Sequence, residues 1–206
     1  MTTTALLGRF VAPITEERTY LRGLLREGGW LLATNGAIVV RVPNDPTVVA
    51  ADCHLNFGLI FSSEAVTGIN PVALPDLPRP IPCQFCLGTG QGYLCSACLG
   101  DGEVDGDGLS NNICESCDGE GRLGGPPPVG VSNAGCWCCQ AMGTLQQRVV
   151  IEGVGYDARL LAKIVDLPGI TFMIPKGSTD SATPSRFWFS LPGGGTGEGA
   201  LMPLRA

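Results

Sequence analysis

The sequence predicts an α+β domain interrupted by an irregular, glycine-rich cysteine module. Two observations lead there. Segments with strand and helix character stand on both sides of a central cysteine section. Nine of the ten cysteines lie between residues 83 and 139, where apolar periodicity vanishes. The expected sections are 1–75, 76–145 and 146–206, the middle one being an insertion into a single domain. An apolar fraction of 44% can fill a core, and the charged fraction of 16% lies below the usual value of about 25%.

In the first section, Thr15–Glu27 reads as a helix with Thr15 as cap and acids at Glu16 and Glu17, ending at Gly28-Gly29. Trp30–Thr34 and Ala37–Val42 read as strands around Asn35-Gly36, a strong hairpin signal because both turn positions tolerate positive φ. Asn70–Pro82 is proline-rich and reads as a linker. After the cysteines, Gln147–Glu152 reads as a strand and Tyr156–Asp166 as a short helix stopped by Pro168-Gly169. Ile170–Pro175, Arg186–Leu191 and Ala200–Arg205 read as further strands, with a glycine turn at Gly193–Gly195.

No run approaches the ~18 apolar residues of a membrane span, and the first residues lack the pattern of a signal peptide. A cytoplasmic protein is expected. In a reducing compartment, so many cysteines point to metal before disulfides.

The cysteines fall in four repeats: Cys83-Gln-Phe-Cys86-Leu-Gly-Thr-Gly90, Cys95-Ser-Ala-Cys98-Leu-Gly-Asp-Gly102, Cys114-Glu-Ser-Cys117-Asp-Gly-Glu-Gly121 and Cys136-Trp-Cys-Cys139-Gln-Ala-Met-Gly143. Two intervening residues let both sulfurs of a pair reach one ion, and two pairs complete a closed, tetrahedral four-cysteine shell. The trailing glycines permit positive φ and let backbone amides approach the thiolates. Two zinc ions per chain are therefore expected. Cys53 and Cys138 are left over, and Cys138 competes with its neighbours as a ligand. The only histidine is His54.

Between Cys83 and Gly143 the only base is Arg122, against Asp101, Glu103, Asp105, Asp107, Glu115, Asp118 and Glu120. Zinc bound by four thiolates adds −2 per site. So anionic a module suits a protein partner and repels a phosphate backbone.

This module resembles the cysteine-rich domain of DnaJ-type chaperones, with four Cys-x-x-Cys-x-Gly-x-Gly repeats over roughly a third of the chain. The resemblance implies that the first and fourth repeats share one zinc and the second and third the other. Cys83, Cys86, Cys136 and Cys139 then form one site, and Cys95, Cys98, Cys114 and Cys117 the second. Ala141 departs from the pattern by replacing a glycine, and no His-Pro-Asp helix pair is present.

The flanks resemble the bacterial DNA sliding clamp. Gly29-Trp-Leu-Leu-Ala-Thr-Asn-Gly-Ala-Ile-Val-Val is similar to the clamp's hairpin, and Phe187-Trp-Phe-Ser-Leu with Gly199-Ala-Leu-Met-Pro-Leu-Arg205 to its closing strands. That resemblance implies one clamp-like domain of two strand-helix-strand halves, with helices turned toward DNA and self-assembly into a homo-oligomer if a ring forms. On such helices Arg18, Arg22 and Arg26 form one stripe and Arg159 and Lys163 another. These are the expected DNA-facing residues, though a solvated charged face gives the same pattern.

The chain offers no phosphate-binding loop, no nucleophile elbow and no histidine base beyond His54, and closed four-cysteine sites leave no position for water. The expectation is a non-enzymatic, zinc-binding docking factor associated with DNA replication. The alternatives are a DnaJ-like binder of unfolded polypeptides or thiol–disulfide oxidoreductase, and a zinc-stapled interaction scaffold.

Overall fold

A computed structural model describes residues 2–13, 16–62, 69–104, 112–175 and 183–204. The chain divides into two compact units: Met1–Pro78 together with Gln147–Ala206, and Arg79–Gln146. No helix among the described residues is long and apolar enough to cross a membrane.

The first unit is mixed, strand-rich α+β. It opens with helix α1 (Thr3–Gly8), capped by the Thr2 hydroxyl, which accepts from the Ala5 N–H. Strands β1 (Leu25–Glu27), β2 (Trp30–Thr34) and β3 (Ile38–Pro43) form an antiparallel meander. The β2–β3 turn follows the Asn35-Gly36 signal: Gly36 takes φ +90°, and Asn35 Oδ1 accepts from the N–H groups of Ala37 and Ile38. β4 (Ala51–Asp52) pairs with β1 in parallel, and a short α2 (Gly58–Phe61) follows. β5 (Ile69–Val72) pairs antiparallel with a later strand, so the expected linker begins as sheet.

The helix expected over Thr15–Glu27 is corrected. Thr15 lies outside the described residues, Thr19–Arg22 forms a single 3-10 turn, and Leu25–Glu27 is strand. Gly23 takes an extended conformation (φ −136°, ψ 179°) and ends the turn. Leu25 is then buried opposite Leu32, so pairing on two sides overrides the helical spacing. Gly28-Gly29 serves as the tight turn of that hairpin, with Gly28 at φ +56°, and not as a helix stop.

Past the second unit, β10 (Arg148–Ile151) and β11 (Val154–Asp157) make a separate hairpin. The helix expected over Tyr156–Asp166 is shorter than its pattern: Tyr156 and Asp157 are strand, and α3 spans Ala158–Leu161, capped by the Asp157 carboxylate. β12 (Thr171–Pro175), β13 (Ser185–Ser190) and β14 (Thr196–Leu201) form a second antiparallel meander. The turn before β14 contains Gly193, Gly194 and Gly195, all at positive φ. The closing strand thus lies earlier than Ala200–Arg205, and Arg205 is outside the described residues.

The two meanders join through β3 and β14, giving one eight-stranded sheet ordered β4-β1-β2-β3-β14-β13-β12-β5. Its central strands are buried on both faces. On one face Phe187 and Phe189 lie across from Gly199 and Gly197, where a Cβ would strike their rings. On the other, Arg41, Glu198 and Arg186 meet. Glu198 accepts from Arg41 Nε at 2.7 Å and Arg186 Nη2 at 2.8 Å, and Phe61 covers both guanidinium groups at 4.0 and 4.9 Å.

The second unit has almost no sheet. β6 (Gly92–Leu94) pairs with β9 (Arg122–Gly124), and β7 (Glu103–Val104) with β8 (Asn112–Ile113). Its buried side chains are mainly the cysteines, in two clusters.

Candidate metal centre

Each Cys-x-x-Cys-x-Gly-x-Gly repeat folds into a knuckle. In the first, third and fourth repeats the carbonyl of the first cysteine accepts from the N–H five residues on (Gly88→Cys83, 3.1 Å; Gly119→Cys114, 3.1 Å; Ala141→Cys136, 2.8 Å). The last glycine then donates to the second sulfur: Gly90 to Cys86, Gly102 to Cys98, Gly121 to Cys117 and Gly143 to Cys139, at 3.2–3.3 Å. These N–H···S bonds stabilise a thiolate.

Knuckles then pair reciprocally. Cys83 N–H donates to Gly143 O at 2.8 Å and Cys136 N–H to Gly90 O at 2.9 Å. In the other pair Cys95 donates to Gly121 O and Cys114 to Gly102 O, both at 2.9 Å. Two four-sulfur groups result: Cys83, Cys86, Cys136 and Cys139, and Cys95, Cys98, Cys114 and Cys117. Within each group the sulfurs all lie within 4.8 Å of one another. The closest pairs are Cys83–Cys136 and Cys95–Cys114 at 3.8 Å, and Cys86–Cys139 and Cys98–Cys117 at 3.7 Å. A tetrahedron with Zn–S arms of about 2.3 Å has edges of about 3.8 Å, so each group fits one zinc ion, two per chain. All eight cysteines are buried, at most 6% exposed, which makes the shells closed.

The titration of the metal-free thiols reflects these contacts. Burial raises Cys83 and Cys98, but backbone N–H groups and neighbouring sulfurs outweigh it and hold both down to about 7. Burial pushes Cys117 and Cys139 up to about 12 against the N–H groups of Gly121 and Gly143. A cluster that keeps protons on some sulfurs while favouring thiolate on another is set to exchange the remaining protons for a divalent cation.

Cys138 is exposed and belongs to neither group, while Cys53 is half-buried and touches the backbone of Leu55. Ala141 keeps the left-handed conformation of the glycine it replaces, at φ +60°. Asp105 and Asp107 lie outside the described residues.

The residues expected to face DNA do not form helical stripes. Arg18 pairs with Glu16, and Arg22 donates to the Glu16 carbonyl. Arg26 lies on β1 and bonds Asn44 Oδ1 and Val48 O. Arg159 is ion-paired to Asp157 at 2.7 Å with its side chain 9% exposed, and Lys163 is turned inward to the Arg9 carbonyl at 2.8 Å. Burial lowers the Lys163 pKa. These cations serve the domain's own carbonyls and carboxylates.

Two features escaped the sequence reading. Phe85 and Trp137 stack edge to face at 5.4 Å across the paired first and fourth knuckles. Leu87 and Leu99, directly after the second cysteine of their repeats, are 84% and 80% exposed at φ +53° and +55°. Their signal was the leucine standing where the other repeats have Asp118 and Gln140.

The fold and site define a protein with two four-cysteine metal centres in one unit and an α+β sheet domain in the other. No protein-family model, no curated protein and no solved structure matches the chain.

Proposed function

We propose that the chain is a non-enzymatic docking factor associated with DNA replication, in which a DnaJ-like two-zinc module is the protein-binding platform of a sliding-clamp-like domain. The observation that carries this reading is the contrast within the module. Its eight metal-binding sulfurs are closed away from substrate, while leucines are held outward at the knuckle tips. A shell with no open position holds shape and performs no chemistry.

The clamp-like part draws support from two meanders joined through their last strands, β3 and β14, as two halves of one domain would be. Most of the basic residues named above are bonded within the domain, which favours docking of protein over a grip on duplex DNA. Reduction of disulfides would require accessible thiols, and buried pairs disfavour it.

Two measurements on the full-length, zinc-loaded chain test the reading. A photo-crosslinking residue at position 129, exposed on the module, is expected to capture a discrete replication protein in cells; the same residue at position 49, exposed on the sheet domain, is not. Absence of capture from position 129 would overturn the docking role. Catalytic turnover of insulin disulfides would overturn the non-enzymatic one.

A further inference from the structure

We propose that the second metal centre, built from Cys95, Cys98, Cys114 and Cys117, is a docking point for a basic, apolar-anchored polypeptide segment. This rests on the docking reading above and names the site and the chemistry of its occupant.

The knuckle turn forces the residue after the second cysteine into the left-handed region: Leu87 at φ +53°, Leu99 at +55°, Asp118 at +49° and Gln140 at +55°. Aspartate tolerates that conformation, but a leucine there is strained. Leu99 is also 80% exposed, so burial does not compensate the strain. A glycine would meet the needs of the turn. Among the described residues no burial of Leu99 accounts for the leucine, and strain retained without structural return points to a function.

Leu99 is not alone. The exposed Leu94 lies beside the next residue: a Cβ on Gly100 would stand 3.2 Å from Leu94 Cδ2. Ile113, 69% exposed, lies over Gly119 in the partner knuckle. The Leu99 and Asp118 knuckles are locked together, their sulfurs Cys98 and Cys117 3.7 Å apart. One site therefore presents an apolar tip and a carboxylate tip. Beside it opens a groove of about 790 Å³ in which Val104 and Ile113 supply apolar wall and Glu115 and Asp118 supply charge.

Charge selects the occupant. Asp101, Glu115, Asp118 and Glu120 form no ion pair among the described residues, and four thiolates around Zn2+ add −2. Such a field repels phosphate and draws Lys or Arg. The complement is a polypeptide segment in which apolar residues alternate with basic ones. The first metal centre pairs Leu87 with the neutral Gln140 and lacks the carboxylate tip.

The test is fluorescence anisotropy with labelled peptides of about twelve residues added to the full-length, two-zinc chain. A Lys/Leu peptide is expected to bind, and Lys/Ser and Glu/Leu peptides are not. Leu99→Gly should weaken binding about tenfold while raising the melting temperature, a combination no purely structural role gives. Glu115→Gln with Asp118→Asn should weaken it and flatten its salt dependence. A zinc count of two checks each variant, and Leu99→Asn replaces Leu99→Gly if metal is lost. Equal binding by Leu99→Gly, or by the Glu/Leu peptide, would overturn the inference. Peptide binding without cross-linking from position 129 supports this site and removes the cellular docking role; cross-linking without peptide binding does the reverse.

Discussion

Gly102 of one knuckle lies against the backbone carbonyl of Gly119 in its partner, so close that a Cβ on Gly102 would collide with that oxygen. The contact is reciprocal: Gly121 stands the same way to Gly100, Gly143 to Gly88, and Gly90 to the carbonyl of Ala141. The glycines thus serve pairing between repeats as well as the turn within each. Gly102→Ala, at φ +81° and facing backbone that has no room to shift, should cost the second centre its zinc and leave the first loaded. Native mass spectrometry reads this as one zinc per chain; two would show that the paired knuckles can part without losing the metal.

Ala141 is the one position in this framework where a Cβ replaces glycine at positive φ, at +60°. Ala141→Gly should relieve that strain and stabilise the first centre by at most about 1 kcal/mol, since the added freedom of the unfolded chain offsets part of the gain. Resistance to a competing chelator checks it. Faster zinc loss from the variant would mean the alanine methyl contributes packing.

Cys138 sits between two ligands and yet is exposed. Cys138→Ser should retain two zincs, whereas Cys139→Ser should retain one. In the zinc-loaded wild type a thiol reagent should modify Cys138 and leave the eight buried sulfurs untouched. Loss of zinc from Cys138→Ser would make it a ligand.

Acid should release the metal. Zinc binds thiolates, so uptake expels the protons that Cys117 and Cys139 hold to about 12, and affinity falls as pH falls. Below about pH 7, Cys83 and Cys98 also take protons, so the decline steepens there. Titration with a chromophoric chelator from pH 8 to pH 5 measures this directly, and release independent of pH would contradict it.

In the sheet domain, Glu198 is the shared partner of two guanidinium groups, and Arg186 is 2% exposed. Glu198→Gln leaves both cations without a counter-charge and should destabilise by about 3–5 kcal/mol, read by urea denaturation. A loss below about 1 kcal/mol would place the stabilisation in the aromatic contacts instead.

The sequence by itself determined what is local. Asn35-Gly36 declares its hairpin because the turn needs residues that accept positive φ, and the repeats declare metal sites because two residues between cysteines let two sulfurs reach one ion. Tertiary structure decided what depends on distant partners. The spacing of Leu21, Leu24 and Leu25 suits a helix, yet pairing of Leu25 with Leu32 on one side and Ala51 on the other makes it strand. The Arg18, Arg22 and Arg26 stripe disappears with that helix. The reciprocal N–H···O=C bonds between knuckles join Cys83 to Cys136 and Cys95 to Cys114, a choice that the four similar repeats leave open. Only the close of β3 on β14 brings Arg41 to Glu198 across 157 residues, because strand pairing is specified by a whole buried surface and not by neighbours along the chain.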